Sequence, residues 1–275
     1  MLAIKIKSLL IVFFFLIVLN VFAIHDNKPV GARSAAMGNA SVALSDFWSA
    51  HNNQAGLAYY KNIAAGFYYE DNFLIKELGL KYAAVVLPTK SGVFGLTTSY
   101  FGYTQYNESK LGLAYSKSFG ERFSAGLQLD YLSTRIAENY GNKGAVTFEL
   151  GIRAQLSKNL YLGAHVFNPV NIKIAEYNDE RLPTIMRLGL SYNFSEKIIA
   201  CVETEKDINY DPVLKAGMEY HIIKEIYIRA GISTNPTLNT FGFGVEFKKL
   251  KFDFASSIHQ TLGYSPQLSL IYNIK

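Results

Sequence analysis

Asp253, Ser257 and His259 are the nearest this chain comes to an acid, a nucleophile and a base. Acyl transfer needs those three types within hydrogen-bond reach of one another. Here they stand on alternate positions of one alternating run, so they share a strand face and are spread along it. Spread in that way, the three read as polar residues of a strand face. The chain holds no Gly-x-Ser-x-Gly, no His-Glu-x-x-His and no phosphate loop. Gly242-Phe243-Gly244 leads into no helix, which excludes a nucleotide turn. His25, His51, His165, His221 and His259 are scattered without paired spacing for a metal, and Cys201 is the only cysteine. No enzyme activity, cofactor or metal is expected.

The remaining chemistry-bearing residues are charges at one parity of the alternating runs. Asp130, Glu149, Arg153, Arg187, Glu203, Lys215, Glu219, Arg229, Glu246 and Asp253 form the main set, with Lys110, Glu205, Lys248 and Lys251 in the same register. The two signs nearly balance. Desolvated charges need partners, so salt-bridged layers across an enclosed interior are expected rather than an ion-selective ring of one sign.

The elements that place these charges are strands. Phe123, Ala125, Leu127, Leu129 and Tyr131 alternate with Ser124, Gly126, Gln128 and Asp130. Phe241, Phe243, Val245 and Phe247 alternate with Gly242, Gly244, Glu246 and Lys248. From residue 63 to 275 about fourteen such runs follow one another, separated by turn chemistry such as Gly120-Glu121 and Asn235-Pro236. Each carries roughly ten residues, enough to cross a bilayer when tilted. An apolar outward face and a polar inward face, repeated an even number of times, predict an all-β fold: a transmembrane antiparallel barrel with lipid around it. The 169–182 stretch is the longest expected loop. A soluble β protein with this pattern would expose a large apolar band to water.

Residues 1–23 read as a signal peptide: Lys5 and Lys7, an apolar core from Leu9 to Val18, and a cut after Ala23. Its removal lowers the formal charge from +5 to about +3, and no clustered basic stripe suggests nucleic acid. Export with a barrel predicts the outer membrane of a Gram-negative bacterium. Residues 24–62 are not strand-like. Their glycines, a short helix expected within Ala35–Leu44 and the only Trp, Trp48, mark a separate segment. Inward Gly112, Gly126, Gly151, Gly163, Gly189, Gly217, Gly231, Gly242 and Gly244 leave room for it in the lumen.

That segment carries a resemblance. Gly31-Ala32-Arg33, Met37-Gly38-Asn39-Ala40, Asp46 and Asn53-Gln54-Ala55-Gly56-Leu57 resemble the opening segment of the PorV/PorQ family of Bacteroidetes, within the FadL-like superfamily. The resemblance implies a fourteen-stranded outer-membrane barrel with residues 24–62 as a lumenal hatch. It singles out Gly31, Arg33, Met37, Gly38, Asp46, Asn53 and Gly56 as hatch residues, with Arg33 and Asp46 pairing with lumen charges. It implies a role in type IX secretion, with secretion components or cargo as partners. The alternative it implies is FadL-like passage of fatty acids or other hydrophobic compounds. Short loops and a charged lumen tilt the expectation toward secretion, since a greasy ligand wants a mostly apolar pocket. Gln54 replaces the proline of the family's Asn-Pro-Ala box, which predicts a looser turn there, because proline fixes φ.

Overall fold

The computed structural model describes residues 27–137, 141–173 and 181–274. The expected signal peptide and its cleavage point fall outside these residues. Fourteen strands close into one ring: β1 (Ala64–Asp71), β2 (Gly79–Pro88), β3 (Val93–Gly102), β4 (Tyr106–Phe119), β5 (Phe123–Ile136), β6 (Gly141–Gln155), β7 (Leu160–Phe167), β8 (Ile185–Asn193), β9 (Ile198–Asp207), β10 (Val213–Ile223), β11 (Ile226–Ser233), β12 (Leu238–Phe247), β13 (Leu250–His259) and β14 (Gly263–Asn273). Every strand pairs antiparallel with its sequence neighbours. β1 closes on β14 through Ala64↔Asn273 to Glu70↔Gln267. Closure leaves no unpaired strand edge, which is what a strand needs where no water can satisfy its backbone.

Alternation sets the two faces. Phe67, Leu113, Leu129, Val146, Leu188, Val202, Phe241 and Leu270 are exposed on the outside. Gln128, Asp130, Glu149, Arg187, Glu219 and Asp253 are buried inside. The ring is therefore apolar outward and polar inward, the reverse of a soluble protein. No described helix is long and apolar enough to cross a membrane; the strands make the apolar band.

The two rims differ. Both chain ends of the ring, near Ala64 and Asn273, lie at one rim, with tight turns such as 120–122 and 248–249. The other rim carries longer connections, of which 168–184 is the longest. Strand ends depart from the sequence reading at several points. Residues 76–78 form a 3-10 turn rather than the start of β2, and β6 begins at Gly141. Lys248 stands in the β12–β13 turn at φ 55, exposed, so it is not a lumen charge as its parity suggested. In a two-residue connection, turn geometry overrides strand parity.

Candidate functional site: the filled lumen

Residues 27–59 run inside the ring, and local sequence explains their path. Helix α1 (Ala32–Ala36) is a single turn of small residues apart from Arg33. The helix expected within Ala35–Leu44 lies earlier and overlaps that span only at Ala35 and Ala36, because Gly38 (φ 66) and Asn39 (φ 63) turn the chain left-handed beyond it. Gly31 (φ 96) starts the turn on the other side, and a Cβ there would collide with the Trp48 ring. Helix α2 (Ser49–Asn52) and a 3-10 helix (Gln54–Tyr59) complete the segment.

The barrel wall is cut to receive this segment. A Cβ at Gly126, Gly151, Gly163, Gly217 or Gly231 would fall inside 3.0 Å of plug backbone or side-chain atoms of Gln54, Asn53, Val42, Met37 and Gly38 respectively. Gly66 does the same against Phe47, a position the sequence reading overlooked. Gly112 and Gly244 have another role: they abut wall side chains, Asp130 and Arg229 among them.

Two sectors hold the plug. On the β1–β3 side the contact is mostly apolar, with one ion pair, Lys28 to Glu70 at 3.3 Å. Trp48, Phe47, Leu57 and Val30 pack with Tyr68, Tyr82, Ala84, Val86 and Ile271 in one buried cluster. The Phe47 and Trp48 rings meet edge to face at 4.9 Å. None of these aromatics could be assigned to the plug seat from alternation, because the seat exists only once the ring closes.

Around β4–β13 the contact is charged, in three groups. Arg33 donates Nε and Nη2 to the two carboxylate oxygens of Glu219 at 2.8 and 2.7 Å, and Nη1 to Asp46 at 3.0 Å. Arg229 also reaches Glu219, at 2.5 Å, and Asp253 at 2.7 Å. Burial alone would loosen the Arg33 proton; Glu219 and then Asp46 more than offset it and push the guanidinium further up. Asp46 thus pairs within the plug, while Arg33 links plug to wall.

In the second group Glu203 accepts the backbone N–H of Ser41 at 2.7 Å and of Val42 at 2.8 Å. Lys215 sits between Glu203 and Glu205, and Arg187 bonds Glu205 at 2.5 Å and the Asn27 carbonyl. The third group centres on Glu149, which accepts from Lys110, from Gln54 at 2.7 Å and from His165 at 2.9 Å. Asp130 lies 3.6 Å from Lys110. The charges therefore bridge along the wall and to the plug, not in layers across an open lumen.

Arg153 and Glu246 stand apart from these groups. Arg153 is half-buried, donates to the Ala43 carbonyl at 2.9 Å and stacks on Tyr161. Glu246 accepts from Tyr227 near the turn rim. Asn53 caps the 3-10 helix at Ala55 and donates to the Val42 and Ile152 carbonyls. Met37 is buried with Ala40, Leu44 and Cys201, and the Gly56 carbonyl accepts from Ser45. At Gln54, where the missing proline predicts a looser turn, the side chain is fully buried and anchored on Glu149. Lys28, His51 and Asn52 also hold the plug, and nothing in their spacing marked them. Asn52 exchanges bonds with both backbone groups of Val30 and donates to Ser34.

The acid–nucleophile–base set is dispersed by its partners. Asp253 accepts from Arg229, Ser257 accepts from Gln267, and His259 Nδ1 accepts the N–H groups of Thr261 and Leu262. Above the plug, toward the longer connections, lies a cavity of about 290 Å³ lined by Lys28, Glu70, Asn72, Phe73, Glu205, Lys215 and His259.

This chain matches solved structures over most of its length. The CymD monoaromatic hydrocarbon channel aligns with a TM-score of 0.68 at 14% identity, over 90% of this chain and 98% of that one. The Ralstonia pickettii toluene transporter TbuX aligns with a TM-score of 0.65 at 12% identity, over 90% and 97%. A Pseudomonas aeruginosa FadL homologue gives 0.59 at 13%, over 88% and 98%. This chain has the fold of the FadL-type channels. No family model and no curated protein matches its sequence. At such identities the likeness is one of backbone path: the fourteen-strand ring is shared, and the side chains that fill it are this chain's own.

Proposed function

We propose that this protein is an outer-membrane barrel of the FadL type that passes small hydrophobic compounds, with residues 27–62 as its internal hatch. The carrying observation is the shared backbone: a closed fourteen-strand ring in the same fold as two hydrocarbon channels and a FadL homologue. The exposed apolar band supports placement in a bilayer. The cavity above the plug would be the first compartment a solute meets, and Arg33, Asp46, Asn53 and the wall glycines would hold the hatch.

The test is uptake of labelled toluene and a labelled fatty acid by a Gram-negative host that lacks its own channel for such compounds. Expression of the barrel should speed uptake several-fold. Folded barrel in the outer membrane with unchanged uptake of both compounds would overturn the transport reading.

A second reading is favoured by the charge. The plug contacts on β4–β13 centre on charged wall residues, with Arg33–Glu219 an ion pair across the seam, and Lys28, Glu70, Glu205 and Lys215 line a compartment above them. A structural or secretion-associated barrel, as the PorV/PorQ resemblance implies, needs no greasy path. It predicts a protein partner co-purifying from the native membrane and altered surface proteins on deletion.

A further inference from the structure

The outer wall is not evenly filled. Across β8 to β11 a depression of about 540 Å³ opens on the lipid side. Register explains it. Thr204 on β9 stands opposite Leu188 and Leu214, and Ala216 on β10 stands opposite Val202 and Ile232. Two small outward residues thus lie between large ones, forming a floor with aliphatic walls. Leu188, Val202, Leu214 and Ile232 are each about half exposed, at 50, 53, 60 and 48%.

The next outward residue on β9 toward the loop rim is Lys206, opposite the outward Met186. It donates to the Tyr210 carbonyl. Its flanking carboxylates do not share its face: Glu205 pairs with Arg187 and Lys215 in the lumen, and Asp207 stands opposite the buried Ile185. Lys206 is not part of the groove's lining; it stands one outward position beyond the Thr204 floor, on the rim side.

We propose that this groove is a binding site for an anionic acyl lipid of the surrounding membrane, with one chain on Thr204 and Ala216 and its phosphate at Lys206. A chain laid there covers apolar surface that a flat wall would leave poorly packed, and burial of each methylene adds to the hold. The cation selects the headgroup and sets its direction, toward the loop rim. A pure hydrocarbon would gain the first interaction and not the second. The inference rests on the outer-membrane reading above.

The experiment is native mass spectrometry of the folded barrel in mild detergent, titrated with phosphatidylglycerol or phosphatidylcholine of the same chains. One phosphatidylglycerol should bind ahead of the rest, several-fold tighter than phosphatidylcholine. Filling the floor with Thr204→Phe plus Ala216→Phe should abolish that first site, while Ala125→Phe on the far wall should leave it. Lys206→Gln should reduce the headgroup preference about fivefold without removing chain binding. Heat-modifiable migration on gels reports folding of each variant. Equal lipid binding by folded wild-type and filled barrels overturns the groove. Displacement of the lipid by toluene at the same site would assign the groove to hydrocarbon and overturn the lipid assignment. Failure of the wild type to enter membranes would instead overturn the outer-membrane reading.

Discussion

The two sectors that grip the plug solve one problem by opposite means. Between β1–β3 and the plug, the contact is mainly aromatic and aliphatic packing around Trp48. Between β4–β13 and the plug, directed bonds converge on Glu149, Glu203 and Glu219. The first sector is non-directional and tolerant of small shifts; it sets how strongly the plug is held. The second is geometric, since each carboxylate must meet named donors, and it sets where the plug sits. A misplaced plug would lose little apolar area yet would strand several buried charges.

Either sector can be disabled on its own. The largest effect is expected from the wall itself. Gly217→Leu would drive a side chain into Met37 of the plug. Either the barrel fails to fold or the plug is displaced, read as loss of heat-modifiable migration or as a rise in conductance in planar bilayers. A folded variant of unchanged conductance would show that the glycine seat does not matter.

Trp48→Ala, in the apolar sector, should cost about 3–5 kcal/mol with little change in plug position. Glu219→Gln, in the charged sector, should cost about 3 kcal/mol, because Arg33 and Arg229 are left buried without their shared acid. Urea unfolding from lipid vesicles measures both. Protease nicking of residues 27–62 separates them, with greater sensitivity expected for Glu219→Gln. Equal sensitivity would erase the distinction between holding and placing.

Gln54→Pro sharpens the contrast at one residue. It restores the proline of the resembled motif but removes the Gln54 bond to Glu149. The variant should lose about 1–3 kcal/mol, the cost of leaving a buried acceptor short of a donor. A more stable variant would mean that local turn stiffness outweighs the network.

The smallest effect concerns pH. Burial, then the nearby Lys110, holds His51 well below its usual range. Its folded value is depressed, so the folded state resists the proton that the unfolded chain accepts below about pH 6.5. Stability should be flat above that pH and fall as pH drops below it. His51→Gln, which can still donate to the Lys28 carbonyl that accepts from His51 Nε2, should lose less between pH 7 and 5. Parallel pH curves for both proteins would remove His51 as the source.

Much of this architecture was legible from alternation. Phe123 to Tyr131 and Phe241 to Phe247 show both faces directly, because a strand's period of two is local and a barrel repeats it. Parity alone placed Asp130, Glu149, Arg187, Glu203, Lys215, Glu219, Arg229 and Asp253 on the inside. It misplaced Lys248, where a turn interrupts the period. It could not show which charges meet. Arg33 and Glu219 are 186 residues apart and share a bidentate bond.

Local sequence suffices for the strand count, the outward apolar band and the presence of a segment that is not strand. These follow from short-range rules: side-chain period, turn chemistry and the solvent each face requires. The seat of the plug, by contrast, forms only in the closed ring. Ring closure and register bring β1 glycine to Phe47, β10 glycine to Met37 and three carboxylates to three parts of one plug. Such contacts depend on curvature and stagger summed over fourteen strands. No window of sequence contains that sum.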